Sequence, residues 1–406
     1  MIPEGWRKVK ISEIATVTSG GTPDRKKTQY WNGNIPWVTT SLVDFNIIDK
    51  ADEFITEEGL RNSAAKWLPK GTILMAMYGQ GVTRGKVSLL GIGATTNQAC
   101  AAINVNEGTH NSFLFYCLAH KYRELRYLAH GSQQENLNGE LIKNFWILIP
   151  PLPEQRKIAE ILSTWDEAIA KTELLIAALR RRKQGLMQCL LTGQVRFPGF
   201  EGEWRAITLP EILKNEKGAI KVGPFGSQLK KEELVKAGFK VYGQENVYQN
   251  DFSTGSRYID KKKFEGLKSC EILPGDFLIT MMGTIGKSAI VPEGIETGIQ
   301  DSHLIRLRVN EKIFSKRFLA YLFQSFEINK QVRRQSVGGI MEGLSSQIIQ
   351  RLKVPITTIE EQELIANVIE VCDQELSVAM KQKELLTIQK KGLMQRLLTG
   401  QVRVKV

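Results

Sequence analysis

From Glu154 to about Leu191 the chain runs without a proline, and apolar or small residues recur at Ile158, Ile161, Trp165, Ala168, Thr172, Leu175, Leu179 and then Leu186. Steps of three and four put these positions on one stripe of a helix and predict a coiled-coil seam. The same spacing returns near the end of the chain at Ile365, Ile369, Cys372, Leu376, Ala379, Leu386, Leu393 and Leu397. Both runs stop at Thr-Gly, where Gly193 and Gly400 suit a C-terminal cap because glycine enters the left-handed region without a Cβ clash. Roughly 38 residues at about 1.5 Å each give a rod of nearly 60 Å. An amphipathic rod has to bury its stripe. Matched length and matched seam favour packing of the two rods on each other, antiparallel, over burial of each in an adjoining domain.

Outside the rods the pattern shortens. "GTILMAM" and "DFLITMM" are β-type runs entered through Leu-Pro, and "FLFYCLAHKYRELRYLAH" and "KRFLAYLFQSFEINKQVRRQ" are helix-like stretches followed by Gly/Ser segments. "FPGFEGEW" (197–204) has the Pro and Gly content of a hinge between modules. These features come in pairs. "GLMQCLLTGQVRF" begins at Gly185 and "GLMQRLLTGQVRV" at Gly392, and at the same offset Glu154/Glu361, Gln155/Gln362, Ile158/Ile365, Ala159/Ala366 and Asp166/Asp373 coincide. "GWRKVKISEIA" answers "EWRAITLPEIL", and "LPKGTILMAMYGQGVTRGKV" answers "LPGDFLITMMGTIGKSAIV". Self-similarity over such a distance sets the architecture. The expected fold is α+β with a pseudo-two-fold internal repeat. Two globular mixed α/β domains (1–150 and 198–354) are separated by two long helical segments (151–197 and 355–406) packed as an antiparallel coiled coil.

Lys and Arg number 55 against 43 Asp and Glu, a formal charge of +12. This excess points to a polyanionic partner, since clustered cations gain free energy by releasing counterions from phosphates. The five cysteines are scattered with no CxxC pair, which argues against a disulfide framework or a zinc site and fits a reducing cytoplasm. The N-terminus lacks the apolar core of a signal peptide, and no apolar run reaches membrane-span length. A soluble, cytoplasmic protein is expected.

A search for bond-making chemistry ends in decoys. In "MMGTIGKSAI" the Gly286-Lys287-Ser288 triplet resembles the end of a phosphate-binding loop, but Met281 stands where the first glycine belongs. A β-type run closed by Pro292 follows, not a helix. Its counterpart "YGQGVTRGKVSLL" has Gln80 at that place. Both read as a shared strand–turn–strand element. The histidines are not spaced for metal on one helix face and read as solvated or capping. There is no Gly-x-Ser-x-Gly, HExxH or Cys/His signature, and no Asn/Asp-Pro-Pro-Tyr/Phe motif. Carboxylates on the long helices read as solvated faces.

What remains is a duplicated set of amide-rich, basic loops, suited to base edges through Gln, Asn and Arg and to phosphates through Lys and Arg. In the first variable region the DNA-contact candidates are Arg25, Lys26, Lys27, Tyr30, Tyr78, Gln80, Arg84, Lys86, Asn97, Gln98, Gln133 and Gln134. In the second they are Gln228, Lys230, Lys231, Tyr242, Gln244, Asn246, Thr284, Lys287, Gln300, His303, Arg333 and Arg334. Any one of these, taken singly, also suits an ordinary solvated loop. "LRRRKQ" (179–184) reads either as a phosphate-tracking strip or as a charged helix face.

Taken together, "PPLPEQRKIAEIL", "GLMQCLLTGQVRF", the Trp6 and Trp204 segments, and the "LPKGTILMAM"/"LPGDFLITMM" pair resemble the specificity subunit of type I restriction-modification enzymes, over essentially the whole chain. The second copy departs from the pattern, since "TIEEQELIANVIE" lacks the Pro-Leu-Pro lead. The resemblance implies that each variable region is a target recognition domain reading one half of a split double-stranded DNA sequence. It implies that the paired helices space the halves and dock two methyltransferase subunits, with two motor-nuclease subunits joining them. S-adenosylmethionine, and ATP with Mg, would sit on those partners, and this chain would bind no cofactor or metal. Gly131–Gln134 and Gly338–Gly339 would be equivalent surface loops. Two other classes stay in view: a helical scaffold carrying two protein-binding modules, and a nucleotide-dependent enzyme that would need Lys287.

Overall fold

The structure of the chain is a computed structural model that describes residues 2–79, 82–128, 136–282, 286–336 and 344–405. It divides into two compact units, residues 1–173 with 381–406, and residues 174–380.

In the first unit the expected run becomes strand Ile73–Ala76, buried along its whole length. It lies antiparallel between Cys100–Val105 and Val87–Leu90. Ala15–Ser19 and Ile47–Ile48 complete this five-stranded sheet. An unbroken apolar run fits a strand covered on both faces. A three-stranded sheet holds Trp31–Val38 between Glu53–Ile55 and Thr95–Thr96, and Arg7–Lys10 pairs with Trp146–Ile149. The helix-like stretch splits at Lys121 into Asn111–His120 and Tyr122–Leu128.

The second unit repeats this plan with different sheets. Phe277–Thr280 is antiparallel to both Ser288–Ile290 and Leu304–Leu307. Ile220–Val222 completes that four-stranded sheet, and a second four-stranded sheet holds Phe239–Tyr242 and Gly298–Gln300. Arg205–Thr208 pairs with Lys353–Ile356. The residues after Gly286 enter a strand and not a helix, so the Gly-Lys-Ser triplet has no helix N-terminus to offer a phosphate.

The long helices span Leu152–Leu190 and Ile359–Leu398. Each unit contains the beginning of one and the end of the other. In the first unit Leu397 and Leu398 share a core with Ile158, Ala159, Leu162, Trp6 and Phe113. In the second, Leu190 and Leu191 share one with Ile365, Ala366, Ile369 and Phe318. Ion pairs across the helices set the direction. The first unit joins Asp166 to Lys390 and Glu173 to Lys383 at 2.7 Å. The second joins Lys183 to Asp373 at 2.5 Å and Arg182 to Glu375. Numbers rise along one helix as they fall along the other, so the pairing within each unit is antiparallel. Arg182 and Lys183 of "LRRRKQ" are thereby engaged across the helix pair.

The seam follows the expected stripe with one correction. Ile158, Ile365, Ile369 and Leu397 are buried, and Ile161, Trp165, Leu179, Leu186, Leu376, Leu386 and Leu393 are half-buried. Leu175, however, is 48 % exposed, and its neighbour Ile176 is buried at 7 %. After the buried Thr172 the inward step is four residues, as a 3.6-residue turn allows, and not three. Both helices end where expected. Gly193 and Gly400 each adopt φ +70°, and the chain folds back so that the Val195 N–H donates to the Cys189 carbonyl and the Val402 N–H to that of Arg396.

Candidate nucleic-acid interface and the latches that support it

The first residues of each long helix carry Glu-Gln, and both side chains are buried. A carboxylate can be buried only if charge and hydrogen bonds replace water. Arg403 provides both for Glu154, with Nε donating to Oε1 at 2.7 Å and Nη2 to Oε2 at 2.9 Å, while Trp6 Nε1 donates to Oε2 at 3.3 Å. The second unit builds the same latch. Arg196 Nε donates to Oε1 of Glu361 at 2.9 Å, Nη2 to Oε2 at 2.8 Å, and Trp204 Nε1 to Oε2 at 3.2 Å. Burial pushes the Glu361 carboxyl up, but hydrogen bonds from Arg196 and Thr357, the Arg196 charge and the Trp204 N–H hold it below the ordinary range. Glu154 and Glu361 are therefore not solvated-face carboxylates. Gln155 accepts from the His110 N–H and donates to the Gly108 and Pro150 carbonyls. Gln362 does the same with Ser315, Ile313 and Thr357. The segment read as a hinge is held at both ends, by Arg196 on Glu361 and by Trp204 packed edge-on against Phe318.

Beyond these latches each unit gathers its own loops. In the first unit a Cβ on Gly20 would lie 1.9 Å from the Thr96 carbonyl oxygen, so only glycine allows this approach. It brings Thr22 onto Gln98, whose Oε1 accepts from Thr22 Oγ1 at 2.6 Å. The Met77 N–H donates to the Ala99 carbonyl, which sets exposed Tyr78 beside the Asn97–Ala99 turn. Arg25, on the adjoining loop, pairs with both oxygens of Glu53, and its guanidinium carbon lies 3.9 Å from the Trp31 ring centroid. Lys26 and Lys27 are exposed next to it. Lys86 turns aside to Asp44 at 2.6 Å.

The second unit repeats the approach: a Cβ on Gly223 would lie 1.8 Å from the Asp301 carbonyl oxygen, and the Met281 N–H donates to the His303 carbonyl. Arg257 bonds Asp301 Oδ2 at 3.1 Å and Glu245 Oε1 at 2.8 Å, and the His303 N–H donates to Asp301 Oδ1. Tyr248 OH lies 3.1 Å from Gln244 Oε1. Exposed His303, half-buried Gln244 and the fixed Arg257 thus share one polar surface. Gln228, Lys230, Lys231, Lys287, Arg333 and Arg334 are exposed elsewhere on this domain.

The family described as the Type I restriction modification DNA specificity domain matches residues 3–181 and 203–388, once over each repeat. The chain belongs to that family. A relative is the Type I restriction enzyme MjaVIII specificity subunit of Methanocaldococcus jannaschii, 25 % identical across 100 % of this chain and 94 % of that one. The fold is that of the S subunit of the type I restriction-modification system from M. genitalium, with a TM-score of 0.60 at 18 % identity over 98 % of this chain and 99 % of the other. A solved chain described under complex assembly and conformational transition of the type I R-M system gives a TM-score of 0.62 at 17 % identity over 99 % and 100 %.

Within this family fold, five of the contact candidates are corrected by burial. Tyr242 is fully buried, donates to the Glu296 carbonyl at 2.7 Å, and is pushed up to about 12 by burial and then by the Glu296 charge. Asn246 accepts from the Gly243 N–H and donates to the Asp251 and Thr254 carbonyls, closing its own loop. Gln300 donates to the Lys221 carbonyl at 2.7 Å from inside a sheet. Tyr30 is buried and takes the Lys27 ammonium at 3.2 Å. Side chains buried this deeply present no face to a base. Arg84 is buried as well. Gln80, Gln133, Gln134 and Thr284, with Gly131–Gln134 and Gly338–Gly339, lie outside the described residues. Arg257 stood outside the expected set, and its bonds to Asp301, far along the sequence, bring it to this surface.

Proposed function

We propose that the chain is the non-catalytic sequence-reading subunit of a type I restriction-modification system, acting on double-stranded DNA in the cytoplasm. Each recognition domain reads one half of a bipartite target, and the paired helices set the spacing and dock two methyltransferase subunits. Two motor-nuclease subunits complete the assembly. S-adenosylmethionine, and ATP with Mg, belong to those partners, and this chain carries no cofactor of its own.

One observation carries the reading. The same Trp–Glu–Arg latch and the same antiparallel helix pairing are built twice, while the loops they support differ in sequence and sheet plan. A chain that keeps its supports alike and its reading loops unlike suits two identical partner subunits and two different half-sites. The exposed cations on both domains add the phosphate attraction that DNA binding requires. No described helix is long and apolar enough to cross a membrane.

The test is reconstitution. The purified chain should neither methylate nor cut DNA. With its modification subunit it should direct adenine methylation, and log affinity should fall by roughly 0.9 per phosphate contact per log unit of salt. A protein-binding scaffold would give DNA affinity without that slope, or none at all, and ATP binding abolished by Lys287→Ala would restore the nucleotide-dependent enzyme.

A further inference from the structure

We infer that a Tyr–Asp–Lys junction, built once in each unit, fixes the rotation of the recognition domain on its helix pair, and that Tyr116 and Tyr321 are positioning residues for half-site spacing. This role rests on the reading of a split DNA target given above. In the first unit Tyr116 donates its hydroxyl to Asp166 Oδ2 at 2.7 Å. Lys390, from the opposite long helix, bonds the other oxygen of the same carboxylate, and its ammonium lies 5.2 Å from the Tyr116 ring centroid. In the second unit Tyr321 donates to Asp373 Oδ2 at 3.2 Å, Lys183 reaches Oδ1 at 2.5 Å, and its ammonium lies 5.5 Å from the Tyr321 ring.

Three separate pieces of chain meet at each junction: a recognition-domain helix, the long helix that follows it, and the antiparallel partner helix. The apolar contacts around them are non-directional and tolerate small rotations. A hydrogen bond to a charged oxygen, closed by a cation over the ring, does not. One helical residue step turns a side chain by about 100°, which would break the hydroxyl contact and lift the ring off the ammonium. Tyr116 is only 4 % exposed, so water is poorly placed to take over its bond. Burial, and then the facing carboxylate, push both phenols far up, which keeps them protonated donors. The sheets of the two domains differ, yet this junction is the same in both. That pattern fits a shared mechanical task better than local packing.

The experiment expresses the full chain with its modification subunit and maps genomic methylation for the wild type, Tyr116→Phe, Tyr321→Phe and the double variant. Ile158→Val, in the same helix pair but away from the hydroxyl contacts, serves as a stability control. The expected result is unchanged bases in both halves with spacers one base pair shorter or longer now methylated. In the double variant, discrimination against shifted spacers should fall on the order of tenfold, as loss of charged hydrogen bonds implies. The control should keep the wild-type spacer. Undiminished discrimination in the double variant, or equal relaxation in the control, would overturn the role. Should the double variant not fold, each single variant, lacking one hydroxyl, carries the same test. A wild type with no two-part motif would instead overturn the DNA reading itself, and this role with it.

Discussion

The inward face of the first long helix is set by Ile176 and not by Leu175, and that single-residue distinction can be measured. Ile176→Ala removes three carbons from a side chain that is 7 % exposed. At about 0.8 kcal/mol per buried carbon the transfer loss is roughly 2.4 kcal/mol, and the unfilled cavity raises it to about 3–4 kcal/mol. For a unit of this size each kcal/mol lowers the midpoint by about 2–4 °C. The unit formed by residues 174–380 should therefore melt roughly 6–16 °C lower. Leu175 is 48 % exposed, so Leu175→Ala loses far less burial, and alanine's better helix propensity offsets part of that loss, for a net cost of about 0–1 kcal/mol. Calorimetry of the full chain, with hydrogen exchange to assign the transition, decides between them. Leu175→Ala matching or exceeding Ile176→Ala would refute the seam described here.

Other consequences are open to direct measurement. The Glu361 carboxyl is held below its ordinary value of 4.5, so the unfolded chain binds its proton first. Its contribution to stability is complete above that value and is lost as the pH falls through the lower folded value. Acid titration of unfolding should show this loss in the wild type, and Glu361→Gln should flatten it. Arg333→Ala with Arg334→Ala, if both face phosphates, should reduce the slope of log affinity against log salt by about 1.8 without altering the bases methylated; an unchanged slope would remove them from the interface. Inserting one turn into both long helices should change the spacing of the methylated halves and leave their bases alone, and unchanged spacing would refute the ruler.

The helices, their ends and their pairing were legible because periodicity and glycine caps are local signals that the chain writes twice. So were the strands at Ile73–Ala76, an unbroken apolar run, and Phe277–Thr280, where only Thr280 interrupts one. The latches were only half legible. Glu154 and Glu361 stood out as coincident letters, but their partners Trp6 and Arg403, and Trp204 and Arg196, lie too far along the chain for spacing to join them. Leu175 failed for a geometric reason, because two adjacent apolar residues, Leu175 and Ile176, both fit a stripe and only packing chooses between them. Tyr242, Asn246 and Gln300 failed for a chemical one: a buried polar side chain that donates to backbone carbonyls has the same letter as one offered to DNA. The differing sheets of the two recognition domains were hidden for a related reason, since short strands follow from long-range pairing more than from local pattern.

The central claim is that two unlike reading heads act independently on one DNA target. Its most direct measurement is genomic methylation mapping with the modification subunit, before and after residues 1–150 are replaced by another recognition domain. The account predicts a two-part adenine motif in which one half changes with the exchange and the other half stays as it was. A single continuous motif, or a change in both halves at once, would contradict it.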